Sequence, residues 1–390
     1  MAELYEGDFS AVTFLDDLIL RAIRETASDI HLESTETGTV IRFRIDGILH
    51  TVAHIVNENG LYLIARLKVL AHLDVSERRL PQDGKFSFIM PHGAVDLRVA
   101  TFPSLYGEHL VIRVLDRSHD YFSIEKLGFS PDMRAQFVDL LNRSYGLVLV
   151  TGSTGSGKTT TLYSALNVIN HQAKHIITLE DPIEYSFQGI TQSQIRPEIG
   201  FTFAHALRSV LRQDPDIILV GEIRDYDTAE IATQAALTGH LVLSTVHTID
   251  APAAIIRLID MGIRSFLINA TVTGVLAQRL ARMLCTACRT EAEVPEEYKA
   301  LAQSYNIVLT RVYAAGGCDT CHGTGYRGRI GIFEFLLITP EIQELITRRP
   351  AYTQLYEAAV KGGMRTLMHD GLLKVAQGST SLAELARVIG

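Results

Sequence analysis

Residues 152–159 read Gly-Ser-Thr-Gly-Ser-Gly-Lys-Thr, and this run constrains the fold more than any other segment. It matches the pattern G-x-x-x-x-G-K-[ST], which functions between a buried strand and a helix. The apolar run 147–150 predicts that strand, and residues 160–170 predict the helix. A chance glycine-rich turn is disfavoured, because the whole pattern lies between two elements of the required kinds.

This loop predicts ATP binding together with Mg²⁺. Glycines allow backbone N–H groups to surround phosphate oxygens at a helix N-terminus. Lys158 would reach the β- and γ-phosphates, and the Thr159 hydroxyl would hold Mg²⁺. The other residues expected to contact the nucleotide are Gly152, Ser153, Thr154, Gly155, Ser156, Gly157 and Thr160.

Length and charge limit the class of protein. A chain of 390 residues is long enough for two or three domains. The formal charge of −8, from 36 basic and 44 acidic residues, argues against a nucleic-acid partner. No run of about 18 apolar residues is present, so we expect no membrane span. Residues 1–10 lack the features of a signal peptide, which indicates the cytoplasm.

Four cysteines form two C-x-x-C pairs, which predict a tetrathiolate zinc site. The ligands are Cys285, Cys288, Cys318 and Cys321. The long interval between the pairs requires an excursion, which residues 291–304 would supply as a short helix. Disulfides do not suit the cytoplasm, and a redox pair does not need four thiols. An iron–sulfur cluster, or His322 in place of one cysteine, remains an alternative.

The chain separates into regions of different pattern. Residues 1–117 predict an α+β domain with a hairpin at Asp46-Gly47, and residues 118–123 predict a linker. Residues 124–280 alternate strand and helix, which predicts an α/β domain with a parallel sheet. Residues 281–331 would form the zinc subdomain, and residues 332–390 would be helical, with a Ser-x-x-Glu cap at Ser381.

Ionisable residues follow the predicted strands of the α/β region. Glu180, Asp181 and Glu184 follow one strand, Glu222 follows a second, and His247 follows a third. Ligands of parallel sheets bind at the carboxyl ends of the strands. A solvated loop residue is an even alternative for each residue singly, but three strand ends at one phosphate site favour function.

Several stretches together resemble the secretion ATPase superfamily. Besides the phosphate loop they are residues 180–185 (EDPIEY), 214–225 (DPDIILVGEIRD, which includes Arg224) and 238–248 (TGHLVLSTVHT). The tetracysteine segment with residues 323–329 (GTGYRGR) narrows the resemblance to assembly ATPases of type II secretion and type IV pili. Residues 27–31 (ASDIH) also match the opening strand of that family.

The resemblance implies a homohexameric motor at the cytoplasmic face of the inner membrane. A PAS-like N-terminal domain would precede a RecA-like ATPase core, and ATP hydrolysis would move an inner-membrane platform protein that extracts pilin subunits. Family members often carry a further N-terminal docking domain. Only about 27 residues precede Ser28, so we expect that domain to be absent or removed, which leaves a cytoplasmic docking protein open.

The resemblance and the chemistry of phosphoryl transfer assign roles to single residues. Glu184 would polarise the attacking water, while Glu222 would act on the metal or share the role of base. Arg98 and Arg113 would reach the γ-phosphate when domains close, with an ordinary surface arginine as the alternative. His240 and His247 would sense the phosphate, although a hydrogen-bonded core histidine is nearly as well supported.

Two other functions stay open. One is a pilus-retraction or DNA-transport ATPase with the same core. By resemblance, retraction motors lack the tetracysteine segment, and the acidic charge disfavours DNA handling. The other is a nucleotide-gated scaffold with little turnover, against which the presence of Lys158, Glu184 and Glu222 argues.

Overall fold

The computed structural model describes residues 3–5, 10–91, 93–115 and 122–390. The chain divides into two units, Met1–His119 and Asp120–Gly390. His92 and residues 118–121 of the predicted linker lie outside the described residues. Within the described ranges, none of the helices has the length and apolar character needed to cross a bilayer.

The first unit is a mostly antiparallel sheet with two helices. Its helices are α1 (Ala11–Arg24) and α2 (Asn57–Leu70). Its strands are β1 (Glu3–Tyr5), β2 (Asp29–Ser34), β3 (Thr39–Ile45), β4 (Ile48–Ile55), β5 (Gln82–Met90), β6 (Gly93–Ser104) and β7 (Gly107–Leu115). They lie in the order β1-β4-β3-β2-β7-β6-β5, so the strand that the ASDIH run implied, β2, is central.

Local signals account for most of this unit. Asp46 and Gly47 have φ angles of 49° and 86°, the left-handed pair that a two-residue hairpin turn requires, and the predicted hairpin β3–β4 is confirmed. The apolar faces of both helices, including Leu15 and Leu63, are buried in one core with alternate residues of the strands. The α+β pattern predicted for this region is therefore observed.

Within its described residues, the second unit combines a large sheet with eleven α-helices that lie before, between and after its strands. Its large sheet contains β8 (Gly146–Thr151), β9 (Ile176–Glu180), β10 (Thr191–Gln194), β11 (Ile217–Val220), β12 (Leu241–Val246), β13 (Val272–Leu284) and β16 (Tyr326–Leu337), and a small sheet contains β14 (Thr290–Ala292) and β15 (Val312–Ala314). The first six helices of 131–271 are α3 (Pro131–Leu141), α4 (Lys158–Ile169), α5 (Phe203–Val210), α6 (Tyr226–Leu237), α7 (Ala251–Asp260) and α8 (Ser265–Thr271). Later helices are α9 (Glu296–Ser304), α10 (Pro340–Thr347), α11 (Tyr352–Lys361), α12 (Leu367–Ala376) and α13 (Leu382–Ile389).

The large sheet has the order β10-β9-β11-β12-β8-β13-β16. Every neighbouring pair is parallel except β13 with β16. Strands β8 and β12 are buried at every position, because helices cover both faces of the sheet. Two apolar cores result, one around Leu147 and Val242 and the other around Val148 and Leu243. The parallel sheet predicted from alternating patterns is confirmed.

Two long strands cross the boundaries predicted at 280/281 and 331/332. β13 extends to Leu284 and β16 begins at Tyr326, so both run from the large sheet to the cysteine pairs. The first residues of the region predicted to be helical belong to β16, where Ile332 and Phe333 are buried. Their apolar side chains complete the sheet, so the structure does not separate a metal-binding part from the core at these points.

The rest of the C-terminal region is helical, as predicted. α13 begins after Ser381, whose hydroxyl accepts a hydrogen bond from the Glu384 backbone N–H (3.1 Å). The Glu384 side chain forms ion pairs with Arg282 and Arg387. These pairs hold the pKa of Glu384 at about 2 against the opposing effect of burial, and the pair with Arg282 fastens the last helix to β13.

Candidate active site

The phosphate loop joins β8 to α4 with a backbone that only glycine permits at several positions. Gly152, Gly155 and Gly157 have φ angles of 150°, 77° and 88°. A side chain at Gly152 is excluded, since its Cβ would lie 2.5 Å from the Gln278 carbonyl oxygen. Gly157 is the N-cap of α4, so Lys158 and the exposed Thr159 begin the helix. The loop and its flanking elements therefore have the predicted arrangement.

Lys158 lies over this loop. Its Nζ donates to the carbonyl oxygens of Gly152 (2.9 Å) and Ser153 (3.1 Å). Burial lowers the pKa of Lys158 from its ordinary value, and the Glu222 carboxylate opposes this shift. Glu222 is thus close enough to Lys158 to affect its charge.

Glu222 and His247 follow β11 and β12 and lie together with Arg224. The Glu222 carboxylate forms an ion pair with Arg224 (2.5 Å) and lies 3.6 Å from His247 Nε2. Burial and the nearby Lys158 ammonium lower the pKa of His247, while Glu222 raises it. The structure therefore brings Lys158, Glu222, Arg224 and His247 to one end of the sheet.

The acidic residues after β9 have different surroundings. Glu180 is buried, and its carboxylate accepts hydrogen bonds from Tyr163, Thr178 and Gln192. It anchors the end of a fully buried strand, which is a structural role. Asp181 is exposed, and Glu184 is half-buried in the following loop, where its backbone N–H donates to the Tyr163 hydroxyl (3.3 Å).

His240 is not brought to the phosphate loop. It precedes β12, and its neighbour Leu241 is in register with Gly146, at the start of β8. The loop follows the other end of β8, roughly 20 Å away at about 3.3 Å per strand residue. His240 Nδ1 donates to the Ala235 carbonyl oxygen (2.9 Å), so it closes the end of α6. His240 is therefore a hydrogen-bonded histidine with a structural role, which is the alternative given for it above.

Arg98 and Arg113 belong to the first unit. They face each other directly on β6 and β7, and Lys85 of β5 is in register with Arg98. Arg113 is more than half exposed, and its Nε donates to Asp29 Oδ1 (3.1 Å). Like charges opposite one another on a sheet are destabilising. Lys85, Arg98 and Arg113 therefore form a row of like charge across three strands, in which Arg113 is paired with Asp29.

Sequence reasoning missed two residues that shape the site. Gln278 on β13 is buried; its Nε2 donates to the Ser156 carbonyl oxygen (2.6 Å), and its Oε1 accepts from Thr161 Oγ1 (2.8 Å). Glu334 on β16 is also buried and accepts from the backbone N–H of Ala251, the first residue of α7 (2.9 Å). Each is a polar residue in an apolar strand, which is the signal that identifies such residues in a sequence.

The four cysteines converge at the ends of β13 and β16. Their sulfur atoms all lie within 4.8 Å of one another, with 3.9 Å between Cys285 and Cys318 and 3.7 Å between Cys288 and Cys321. Four sulfurs held about 2.3 Å from one ion in a tetrahedron lie about 3.8 Å apart, so this geometry fits a metal ion.

The backbone around these cysteines also suits thiolates. The Gly325 N–H donates to Cys321 Sγ (3.1 Å). Gly316 packs so closely that a Cβ there would lie 2.2 Å from the Cys288 carbonyl oxygen. The predicted excursion between the pairs is present as α9, and among the described residues His322 is not part of the group that converges on one point.

These features define a class of protein. The chain has the features of a phosphate-loop nucleoside triphosphatase: a glycine loop between a strand and a helix, a lysine at the helix start, and a carboxylate after a parallel strand two positions away in the sheet. The fold is an α/β ATPase fold: the DotB ATPase of Legionella pneumophila superposes with a TM-score of 0.75 at 20% identity, covering 99% of this chain and 98% of DotB. The pilus retraction motor PilT with bound ADP gives 0.63 at 27% identity, covering 96% of each chain.

Sequence comparison gives the family. Residues 5–387 match the family described as type II/IV secretion system protein. The type II secretion system ATPase E of Vibrio cholerae is 46% identical over 98% of this chain and 76% of its own length. The type IV pilus assembly ATPase PilB of Myxococcus xanthus is 46% identical over 97% of this chain and 68% of its own length. The chain belongs to the type II/IV secretion system protein family, and it is an ATPase.

The two hydrogen bonds of Gln278, which we call the Gln278 clamp, give a test of how the phosphate loop is held. Gln278→Leu removes both hydrogen bonds and leaves a buried carbonyl and a buried hydroxyl unsatisfied, at about 1–3 kcal/mol each. We expect ATP affinity to fall at least tenfold, measured by titration with a fluorescent ATP analogue. The exposed Gln136→Leu serves as control, and unchanged affinity of the Gln278 variant would show that the loop holds its shape without the clamp.

Proposed function

We propose that this ATPase powers pilus or pseudopilus assembly, or type II protein secretion, through an inner-membrane platform protein. The observation that carries the proposal is the 46% identity, over nearly the whole chain, to both a type II secretion ATPase and a pilus assembly ATPase. The identity to the retraction motor PilT is lower, at 27%, and this difference supports a role in assembly over one in retraction. The protein would act in the cytoplasm, peripherally at the inner membrane, with no nucleic-acid partner.

Within the site, we assign complementary roles to the charged residues. Lys158 would neutralise charge on the phosphoryl group being transferred, and the Thr159 hydroxyl would hold Mg²⁺, which supplies further positive charge. Glu184 would orient the attacking water. Glu222 would act on the metal side, which its proximity to Lys158 and its pair with Arg224 support. His247 would respond to the phosphate through Glu222.

Turnover tests these roles directly. Lys158→Ala should lower steady-state phosphate release by orders of magnitude, because the ammonium charge is lost. Glu184→Gln should bind ATP but not hydrolyse it. The matched controls are exposed Lys361→Ala and Glu198→Gln, which should keep activity. Near-full activity of the Glu184 variant would remove its water-orienting role, and absence of Mg²⁺-dependent turnover in the natural chain would favour a nucleotide-gated scaffold.

The tetracysteine group is proposed to hold structural zinc. All four ligands come from the protein, so such a site is closed and leaves no open position for catalysis. Its support is the match between the sulfur separations and a tetrahedron around one ion. Residues 281–331 would then depend on the metal for their local fold, while the ends of β13 and β16 connect them to the ATPase core.

Metal analysis of the purified chain decides the zinc assignment. We expect about one zinc per chain. Cys285→Ser should lose the metal and lower solubility while ATP binding largely survives, and His322→Ala should keep the metal. Iron accompanied by visible absorbance would overturn the assignment, and loss of zinc in the His322 variant would restore the histidine alternative.

We further propose a homohexamer in which the first unit, interpreted as PAS-like, precedes a RecA-like core. Arg98 and Arg113 would approach the γ-phosphate when ATP closes the domains, and residues 118–123 would serve as the linker. The two arginines are cross-strand neighbours of like charge, and Arg113 is more than half exposed, which supports an anionic ligand. Neutralising developing charge in this way is the role of arginine fingers in related chemistry.

Arg113→Ala should reduce kcat at least tenfold without unfolding the protein, since charge at the γ-phosphate is no longer neutralised. The exposed Arg24→Ala in the same unit is the control. Light scattering should show hexamers favoured by ATP analogues. Full activity of the Arg113 variant would leave the first unit only a docking role.

A further inference from the structure

We propose that Tyr163 is a positioning residue for Glu184 and that Phe122 connects this pair to the segment between the two units. The inference rests on the water-orienting role proposed for Glu184. It concerns how that carboxylate is held relative to the phosphate loop, and it assigns functions to two buried aromatic residues that no part of the mechanism above uses.

The Tyr163 hydroxyl is the first link. Tyr163 lies on α4, five residues after Lys158, and is buried. Its hydroxyl donates to Glu180 and accepts from the backbone N–H of Glu184 (3.3 Å). Burial and the Glu180 carboxylate raise the pKa of Tyr163, so the hydroxyl keeps its proton and makes both bonds. The backbone of Glu184 is thereby fixed to the helix that carries Lys158 and Thr159.

Gln192 of β10 holds the same loop by a second set of hydrogen bonds. Gln192 Nε2 donates to Glu180 Oε1 (3.0 Å) and to the Tyr185 carbonyl oxygen (2.9 Å). Its Oε1 accepts from the Phe187 backbone N–H (2.7 Å). The loop is therefore held on both sides of Glu184, and the buried Glu180 carboxylate accepts hydrogen bonds from both Tyr163 and Gln192.

Four aromatic rings pack together beside these hydrogen bonds. We name them the aromatic box: Phe122, Tyr163, Tyr185 and Phe187. Phe122 contacts all three others, with ring centroids 5.3 Å from Tyr163, 4.8 Å from Tyr185 and 5.6 Å from Phe187. Tyr163 and Phe187 are 4.9 Å apart and edge to face. Such ring pairs stabilise a fold beyond the apolar area they bury. Phe122 is thus part of the support of the Glu184 loop.

Phe122 is also the first described residue after positions 116–121, which join the two units along the chain. Its carbonyl oxygen accepts from Asn167 Nδ2 of α4 (3.0 Å). A displacement of the chain at Phe122 would therefore act on α4 and on the loop of Glu184 at the same time. Because a water-orienting group works only within a narrow geometry, a small displacement there changes the rate of hydrolysis more than the affinity for ATP.

The experiment begins with Tyr163→Phe, which keeps the ring and removes the hydroxyl. We expect kcat to fall roughly 10–100-fold, as misplacement of a reacting group by about 1 Å does, while KM for ATP changes less than about threefold. In a Glu184→Gln background, the slow residual rate that remains without steady-state turnover is measured in long single-turnover reactions with enzyme in excess. Tyr163→Phe should not lower that residual rate further, because the hydroxyl acts through Glu184.

An equal loss from Tyr163→Phe in both backgrounds would overturn the inference, since the hydroxyl would then act on the fold and not through Glu184. Full activity of Tyr163→Phe beside an inactive Glu184→Gln would also overturn it while sparing the proposed function. An active Glu184→Gln variant would instead remove the role of Glu184 itself. Binding of a non-hydrolysable ATP analogue and the thermal midpoint, measured for every variant, identify any that fail to fold.

Phe122→Ala tests the connection to the interdomain segment. We expect a kcat loss of at least tenfold with ATP-analogue affinity kept. Phe129→Ala is the matched control, because Phe129 packs on Phe137 and Phe333 in the same unit, outside the aromatic box. It should lower the thermal midpoint and leave kcat within about twofold. Equal effects of the two substitutions on kcat would show that Phe122 contributes only to packing.

Discussion

The parallel pairing of β8 with β12 and β13 determines where the chemistry of this protein lies. Thr151 at the end of β8 is in register with Val246 and Ala277, so the phosphate loop and the His247 loop leave β8 and β12 at the carboxyl end of the sheet, beside Gln278 within β13. β8 is apolar and buried along its whole length, because helices cover both faces. The site therefore depends first on backbone hydrogen bonds of a buried ladder, and only then on contacts between side chains.

What the sequence predicts well is determined by short-range rules. The loop conformation follows from glycines that tolerate positive φ angles, and the hairpin at Asp46-Gly47 follows from the same property. Strand and helix periods account for the α+β and α/β patterns of the two units. The spacing of the cysteines within each pair predicts two tight turns, although it does not show that β13 and β16 bring the turns together.

What the sequence does not predict depends on register between distant segments. Gln278 lies more than a hundred residues from the loop that it holds, and its contact exists because β13 pairs with β8. Glu180 and Glu184 stand in one acidic run, yet Glu180 is the last residue of β9, which is buried at every position, whereas Glu184 lies in the loop that follows. The rule that ligands bind at carboxyl strand ends accounts for the position of His247, and applied to the amino end of β12 it excludes His240.

Glu334 connects the C-terminal helices to the ATP site by hydrogen bonds. One oxygen of its buried carboxylate accepts from Ala251 at the start of α7, and the other accepts from Leu367 at the start of α12 (3.4 Å). Burial raises the pKa of Glu334 to about 7. α7 begins a few residues after His247, and the first residues of α7 and α12 share Glu334 as their hydrogen-bond acceptor. A shift of α12 alone would leave a buried N–H group without an acceptor. The last region of the chain is therefore joined, through one buried carboxylate, to the helix that follows the loop of His247.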